Sequence, residues 1–115
     1  MKNLIFRYSH KFYNHKSVYC VIDRNCNPSC LHRCSFWSAP YKSKERPDIN
    51  NVILGFETEQ TCNAMANSIA PEHAWFCEEV QLEDLKQISN MMKMPLVVVI
   101  GHTLDPLEIH YHIQK

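Results

Sequence analysis

Runs of β-forming residues at several places along the chain predict strands. SVYCVID (17–23) and HAWFCEEV (73–80) are rich in β-branched and aromatic residues, while INNVILGFE (49–57) and MPLVVVIGH (94–102) carry the longest apolar stretches. Near-continuous apolar runs of this length are typical of buried, central strands. LIFRY (4–8) and the alternating segment LEIHYHIQK (107–115) predict two further strands near the ends of the sequence.

The segment between the strands at 49–57 and 73–80 has the period of an amphipathic helix. Four apolar residues recur at i, i+3, i+4 and i+7, namely Cys62, Met65, Ala66 and Ile69. Thr58 is the predicted N-cap, and Pro71 the predicted stop.

A second amphipathic helix is predicted over QLEDLKQISNMMK (81–93). Its inward positions are Leu85, Ile88 and Met92. Acidic residues fall in its first turn and Lys93 in its last, an arrangement that favours the helix dipole.

The order of elements from residue 49 is β-α-β-α-β, flanked by further strands. This order predicts a single α+β domain over residues 1–115, with a mixed sheet and two helices on one face, ferredoxin-like in the broad sense. Residues 24–48 show no clear period. A segment that long inside a compact domain is usually functional or contains structure of its own.

Length and composition fit one folded domain. The chain has 115 residues, of which 45% are hydrophobic and 21% charged, proportions typical of globular proteins. The N-terminus lacks the apolar core of a signal peptide, and the longest apolar run, 96–100, is too short to span a bilayer. We therefore expect synthesis in the cytoplasm and no membrane insertion.

The net charge of zero conceals two oppositely charged parts. Residues 1–46 hold nine Lys or Arg against two Asp or Glu, and residues 47–115 hold three against ten. Eight of the twelve aromatic residues also lie in the basic part. This asymmetry predicts docking of other proteins by the basic, aromatic segment, with nucleic acid as a weaker alternative because the charges are spread out. The candidate contact residues are Arg7, Lys11, Lys16, Arg24, Arg33, Trp37 and Tyr41.

The segment CNPSCLHRC (26–34) places three cysteines four residues apart. Asn27 and Pro28 resemble a helix start, and a helix from Pro28 would put Cys30, Cys34 and Trp37 on one face. Packed, reduced thiols are the first interpretation, since the spacing lacks the paired CxxC of common zinc sites and free cysteine is often a small core residue. One alternative is a disulfide. The other alternative is a zinc-stabilised binding module, with nucleic acid among its possible ligands. Its four metal ligands would be Cys20, Cys26, Cys30 and Cys34.

Motifs for catalysis are absent from the sequence. It contains no P-loop, no glycine-rich dinucleotide fingerprint and no nucleophile elbow, and two glycines leave little material for phosphate-binding loops. The sequence therefore predicts a structural or interaction protein with no enzymatic activity and no cofactor.

The composition supports one resemblance. The short, glycine-poor, Asn-, Ile- and Lys-rich chain that begins with KNLIFRYSHKFY (2–13) resembles the small orphan virion-associated proteins of large eukaryotic DNA viruses. This resemblance implies a minor capsid or virion component that is incorporated into a particle, and it assigns no residue roles.

Overall fold

The computed structural model describes residues 5–6, 16–23, 35–41, 47–69, 75–101 and 105–107. In chain order they form β1 (Ile5–Phe6), β2 (Ser17–Asp23), β3 (Ser38–Pro40), β4 (Asn51–Phe56), α1 (Glu59–Ser68), β5 (Trp75–Gln81), α2 (Leu82–Met92) and β6 (Leu96–Ile100). These residues build one mixed sheet with two helices, which confirms the predicted α+β fold.

The sheet follows the order β1-β6-β4-β2-β5, and β3 pairs with β4 beside this path. β4 and β6 are parallel, with Leu54 opposite Val97, and the other strand pairs are antiparallel. β4 is therefore central, as its apolar sequence indicated. β3 lies within the segment 24–48, which shows no clear period and for which no strand was predicted.

The two helices cover opposite faces of the sheet, which corrects the expectation that both lie on one face. The α1 side buries Cys62 and Met65 of the helix against alternate strand residues such as Val21 and Phe56. The α2 side buries Leu85 and Ile88 against the intervening strand residues: Val18, Cys20, Ile22, Ile53 and Val98. Because successive strand residues point to opposite faces, a strand apolar at every position is one that is covered on both sides.

Helix α1 begins as the sequence predicts. Thr58 is its N-cap, with extended backbone, and its Oγ1 accepts a hydrogen bond of 3.4 Å from the Thr61 N–H. The helix ends at Ser68, and Ile69 is its C-cap, two residues before the predicted stop at Pro71.

Helix α2 follows β5 without a loop. Gln81 is both the last residue of β5 and the N-cap, and the Leu82 N–H donates to the Lys16 carbonyl at 2.8 Å. At the other end Lys93 is the C-cap, in left-handed backbone conformation (φ 57°), so it does not lie in the last turn as predicted. Met92, predicted to point inward, is 39% exposed because the buried stripe of α2 ends at Ile88.

The described helices are too short and too polar to cross a membrane. The predicted strand at 107–115 lies outside the described residues except for Leu107, which has helical backbone and is 75% exposed.

Candidate docking surface

The segment around β3 presents two aromatic side chains on the α1 face. Trp37 and Tyr41 lie two residues to either side of Ala39, so all three share one face of the extended chain. Ala39 is fully buried in the α1-side core, whereas Trp37 and Tyr41 pack against its edge and are half-buried. We call Trp37, Ala39 and Tyr41 the aromatic shelf.

Main-chain hydrogen bonds hold this shelf at both ends. The Trp37 N–H donates to the Val21 carbonyl at 2.9 Å, and the Tyr41 N–H donates to the Asn50 carbonyl at 2.8 Å. Between them Ala39 lies opposite Val52 in the β3–β4 pair. Beside Trp37, the Phe36 side chain is buried in the α2-side core. The shelf is thus attached to β2, to β4 and to the core of the opposite face.

Two more aromatic residues border the same core. Tyr19 of β2 and Trp75 of β5 are half-buried and pack against the α1-side cluster. Aromatic side chains that are partly exposed and fixed on strands can contribute large contact area at low entropic cost, which is why they are frequent at protein interfaces.

The surface near Tyr19 is acidic. The Glu79 carboxylate raises the pKa of the Tyr19 hydroxyl, and burial, Glu59 and Cys77 add to this effect. Glu79 lies opposite Tyr19 in the β2–β5 pair and accepts a 2.7 Å hydrogen bond from the Ser17 hydroxyl. Across the described residues, nine carboxylates and three lysines give a net charge of −6. The described residues are thus anionic as a group, and most of the cationic residues belong to the rest of the sequence.

A polar groove of about 490 Å³ lies near the start of β4. It is bounded by the C-terminal end of α2 and by the segment that leads into β4, and its lining includes Asp48, Asn50, Asn51, Asn90 and Lys93. Asn50 connects the groove to the shelf, because its carbonyl accepts the Tyr41 N–H. Amide side chains supply both donors and acceptors, so the groove suits a polar, hydrogen-bonding contact. The sequence reasoning missed it, since nothing in the sequence places 48–51 next to 89–95.

The predicted contact residues divide into three groups. Trp37 and Tyr41 lie together on the shelf, but Trp37 is in extended chain, so the predicted helix from Pro28 does not reach it. Lys16 is exposed at the start of β2, beside the first turn of α2, about 17 Å along the strand from the Val21 carbonyl that binds Trp37. The remaining predicted contact residues, Arg7, Lys11, Arg24 and Arg33, lie outside the described residues.

Of the four predicted zinc ligands, the structure describes only Cys20. Its side chain is 1% exposed within the α2-side core, and this burial, followed by the charge of Cys77, raises the pKa of its thiol. Cys26, Cys30 and Cys34 lie outside the described residues. Among the residues that the structure describes, no three His, Cys, Asp or Glu side chains are grouped to hold a metal ion. Zinc binding at these four cysteines therefore stays a prediction.

Comparison with known proteins adds no relative: no protein-family model matches the chain, and no curated protein or solved structure is significantly similar to it.

Proposed function

We propose that the protein is a non-enzymatic interaction protein that docks onto an acidic protein surface through the aromatic shelf and the basic residues near it in sequence. The observation that supports this most is the half-buried position of Trp37 and Tyr41 on either side of β3, where main-chain hydrogen bonds fix the backbone of both residues. Tryptophan and tyrosine in such positions are enriched among the residues that dominate binding energy.

The charge distribution supports an acidic partner. The shelf is preceded by Arg33 and followed by Lys42, Lys44 and Arg46 in the sequence. Lys16, just before β2, adds an exposed residue of the same charge, and Arg7, Lys11 and Arg24 complete the proposed cationic contacts. Opposite charges on two surfaces accelerate encounter and select the partner, while the aromatic anchors supply affinity.

The described residues of a second copy carry a net charge of −6, which is the sign that such a partner needs. The compositional resemblance extends the proposal to a minor component of a virion, where many copies and neighbouring proteins meet.

The test compares retention of proteins from the native source on the immobilised chain and on two variants. The Trp37→Ala/Tyr41→Ala double variant removes the anchors, and Met91→Ala, at an α2 residue that is 59% exposed, is the matched control. We expect acidic proteins or further copies of the chain to bind the wild type and the control. The double variant should bind at least about 30-fold more weakly, corresponding to loss of about 2 kcal/mol or more.

The same retention experiment is repeated at higher ionic strength, and the retained material is tested for nucleic acid. Raising the ionic strength from about 0.05 M to about 0.3 M shortens the screening length, so binding should weaken in the wild type. Equal retention by the wild type and the double variant would refute the shelf as the docking surface. Retention of DNA or RNA in place of protein would move the function to nucleic-acid binding.

A further inference from the structure

Strand β5 forms one edge of the sheet. Among the residues that the structure describes, β5 pairs with β2 along all seven of its residues and with no strand on its other side. The exposure of its side chains agrees with an edge position. Glu79 and Gln81 are exposed and Cys77 is half-buried, whereas Val21, opposite Cys77 in β2, is buried. An edge strand presents main-chain N–H and C=O groups with which another chain can pair.

The hydrogen bonds of β2 show which main-chain groups of β5 point to this edge. The Val21 carbonyl accepts the Trp37 N–H on the side of β2 that faces away from β5. On the side that faces β5, the Lys16 carbonyl accepts the Leu82 N–H at 2.8 Å. Because the main-chain groups of alternate strand residues point to the same side, the even-numbered residues of β2 bond to β5.

The pairing register carries this alternation over to β5. Cys20 lies opposite Glu78, so the even-numbered residues of β5 bond to β2 and the odd-numbered residues point outward. At the centre of the strand, the outward N–H and C=O groups belong to Cys77 and Glu79. An added strand can therefore form its main-chain hydrogen bonds with these two residues.

The side chains at the centre of this edge are acidic on both faces of the sheet. Glu78, the middle residue of β5, lies opposite Cys20 and so on the α2 side. Glu79 lies on the α1 side, where it accepts a 2.7 Å hydrogen bond from the Ser17 hydroxyl and raises the pKa of Tyr19. A strand added at this edge would place its own side chains directly beside the two carboxylates.

These charges argue against a second copy of β5 as the added strand. In the antiparallel register that pairs all seven residues of both strands, the Glu78 side chains of the two copies would lie directly opposite each other. Like charges in that position are destabilising, whereas opposite charges are stabilising. Charge complementarity therefore favours a basic strand.

We propose that the open edge of β5 binds an extended, basic segment of a partner protein, which joins the sheet as an additional strand. In this mode of recognition the main-chain hydrogen bonds supply affinity and the alternate side chains supply specificity. Glu78 and Glu79 lie on opposite faces, so two consecutive Lys or Arg of the partner place one cation beside each carboxylate. The half-buried Trp75 and Phe76, at the start of β5, fit apolar residues of the same segment. Strand β2 lies between this edge and the aromatic shelf, so the proposal does not depend on the docking function.

The first test is amide hydrogen exchange of the isotope-labelled, full-length chain, followed by NMR. The probe is a short synthetic peptide of alternating Val and Thr with two adjacent Lys at its centre. At saturating peptide we expect the N–H groups of Cys77 and Glu79 to exchange at least about tenfold more slowly. The N–H group of Glu78 should change little, because it is already bonded to β2. This alternation distinguishes an added strand from a contact made by side chains alone.

The second test measures the charge preference in the same NMR titration. A matched peptide with two Glu in place of the two Lys should bind at least about tenfold more weakly. In the Glu78→Lys/Glu79→Lys variant this preference should reverse. The control is Glu83→Lys/Asp84→Lys, which makes the same change in net charge at exposed positions of α2 and should still prefer the Lys peptide. The comparison of the two peptides on the wild type stands by itself if a variant does not fold.

Four outcomes would overturn the proposal. They are unchanged exchange at Cys77 and Glu79 with the Lys peptide, equal binding of the two peptides, and a reversed preference in the α2 control variant. The fourth is slower exchange at Cys77 and Glu79 that grows with protein concentration in the absence of peptide. That result would show that a second copy of the chain occupies the edge.

Discussion

Replacing Gly55 by alanine tests the packing between the central strands. Gly55 lies in β4, and a Cβ added there would be 2.9 Å from Val18 Cγ2 and 3.1 Å from Val18 Cβ. Real Cβ atoms almost never approach to 2.9 Å, so one side must move. Val18 is fully buried, and its β-branched side chain has few alternative rotamers. The contact therefore cannot be relieved at low cost.

The expected magnitude combines two opposing effects. Overpacking of a well-packed core costs about 1–3 kcal/mol, and replacing glycine by alanine within a strand recovers about 0.5–1 kcal/mol of conformational entropy. The difference spans about 0–2.5 kcal/mol. Because a 2.9 Å contact forces a movement, we expect a net loss in the free energy of unfolding in the upper part of this range, about 1–2 kcal/mol. For a domain of this size, each kcal/mol lowers the Tm by about 4 °C.

The assay is urea unfolding within a double-mutant cycle. Val18→Ala alone removes the clashing methyl groups and destabilises the protein by leaving a cavity. In that background Gly55→Ala should become close to neutral, so the two substitutions should be coupled by about 1–2 kcal/mol. Asn51→Ala, at an exposed position of the same strand, is the matched control. An unchanged stability of Gly55→Ala, or an equal cost in both backgrounds, would refute the proposed contact.

Three further predictions concern capping, pH and metal. Thr58→Ala removes the α1 N-cap and should lower the free energy of unfolding by about 1 kcal/mol. Thr58→Ser keeps a hydroxyl at the N-cap and should therefore retain most of the wild-type stability, which thermal unfolding of the two variants would measure. Burial raises the pKa of the Cys20 thiol, and the hydrogen bond to Cys77 together with burial raises the pKa of the Cys62 thiol. Both thiols therefore lose their protons at a lower pH in the unfolded state than in the folded state. Under reducing conditions, stability should be constant below about pH 8.5 and then fall by about 1.4 kcal/mol per pH unit for each thiol, whereas stability that stays flat to pH 10 would contradict this linkage. Elemental analysis of protein purified without chelator should find no stoichiometric zinc and six free thiols after denaturation; one zinc per chain would instead establish the zinc-stabilised module at Cys20, Cys26, Cys30 and Cys34.

The local elements were largely predictable because their signals are local. The stripe of α1 and its N-cap Thr58 follow from spacing and side-chain chemistry within a few residues. The faces occupied by the helices were not predictable, since strands such as VILGF are apolar on both sides and do not specify which side a helix covers. β3 was missed because three residues, one of them Pro40, carry too little periodicity and depend on pairing with β4.

The candidate sites depended even more on distant contacts. Trp37 and Tyr41 could be chosen from the sequence as interface-prone aromatics, but their common face required β3. That Cys62 and Cys77 border the same core depends on the β2–β5 register and on the packing of α1, and neither is visible in a single sequence. The cysteines that are singled out by their spacing in the sequence, Cys26, Cys30 and Cys34, are different residues.

The aromatic shelf also has a structural role, and the two roles can be separated. A helix is about 10–12 Å wide and covers two or three strands spaced about 4.8 Å apart, and α1 packs on β5, β2 and β4. Trp37 and Tyr41 pack against the same core beside Ala39, so their removal should lower stability. Even a loss of about 3 kcal/mol from a stability of about 5–15 kcal/mol leaves more than about 95% of the protein folded. Unfolding could then account for only a few per cent of any lost binding. A 30-fold loss in the double variant would therefore report a direct contact, and a loss of only a few per cent would leave the shelf as a cover for the core.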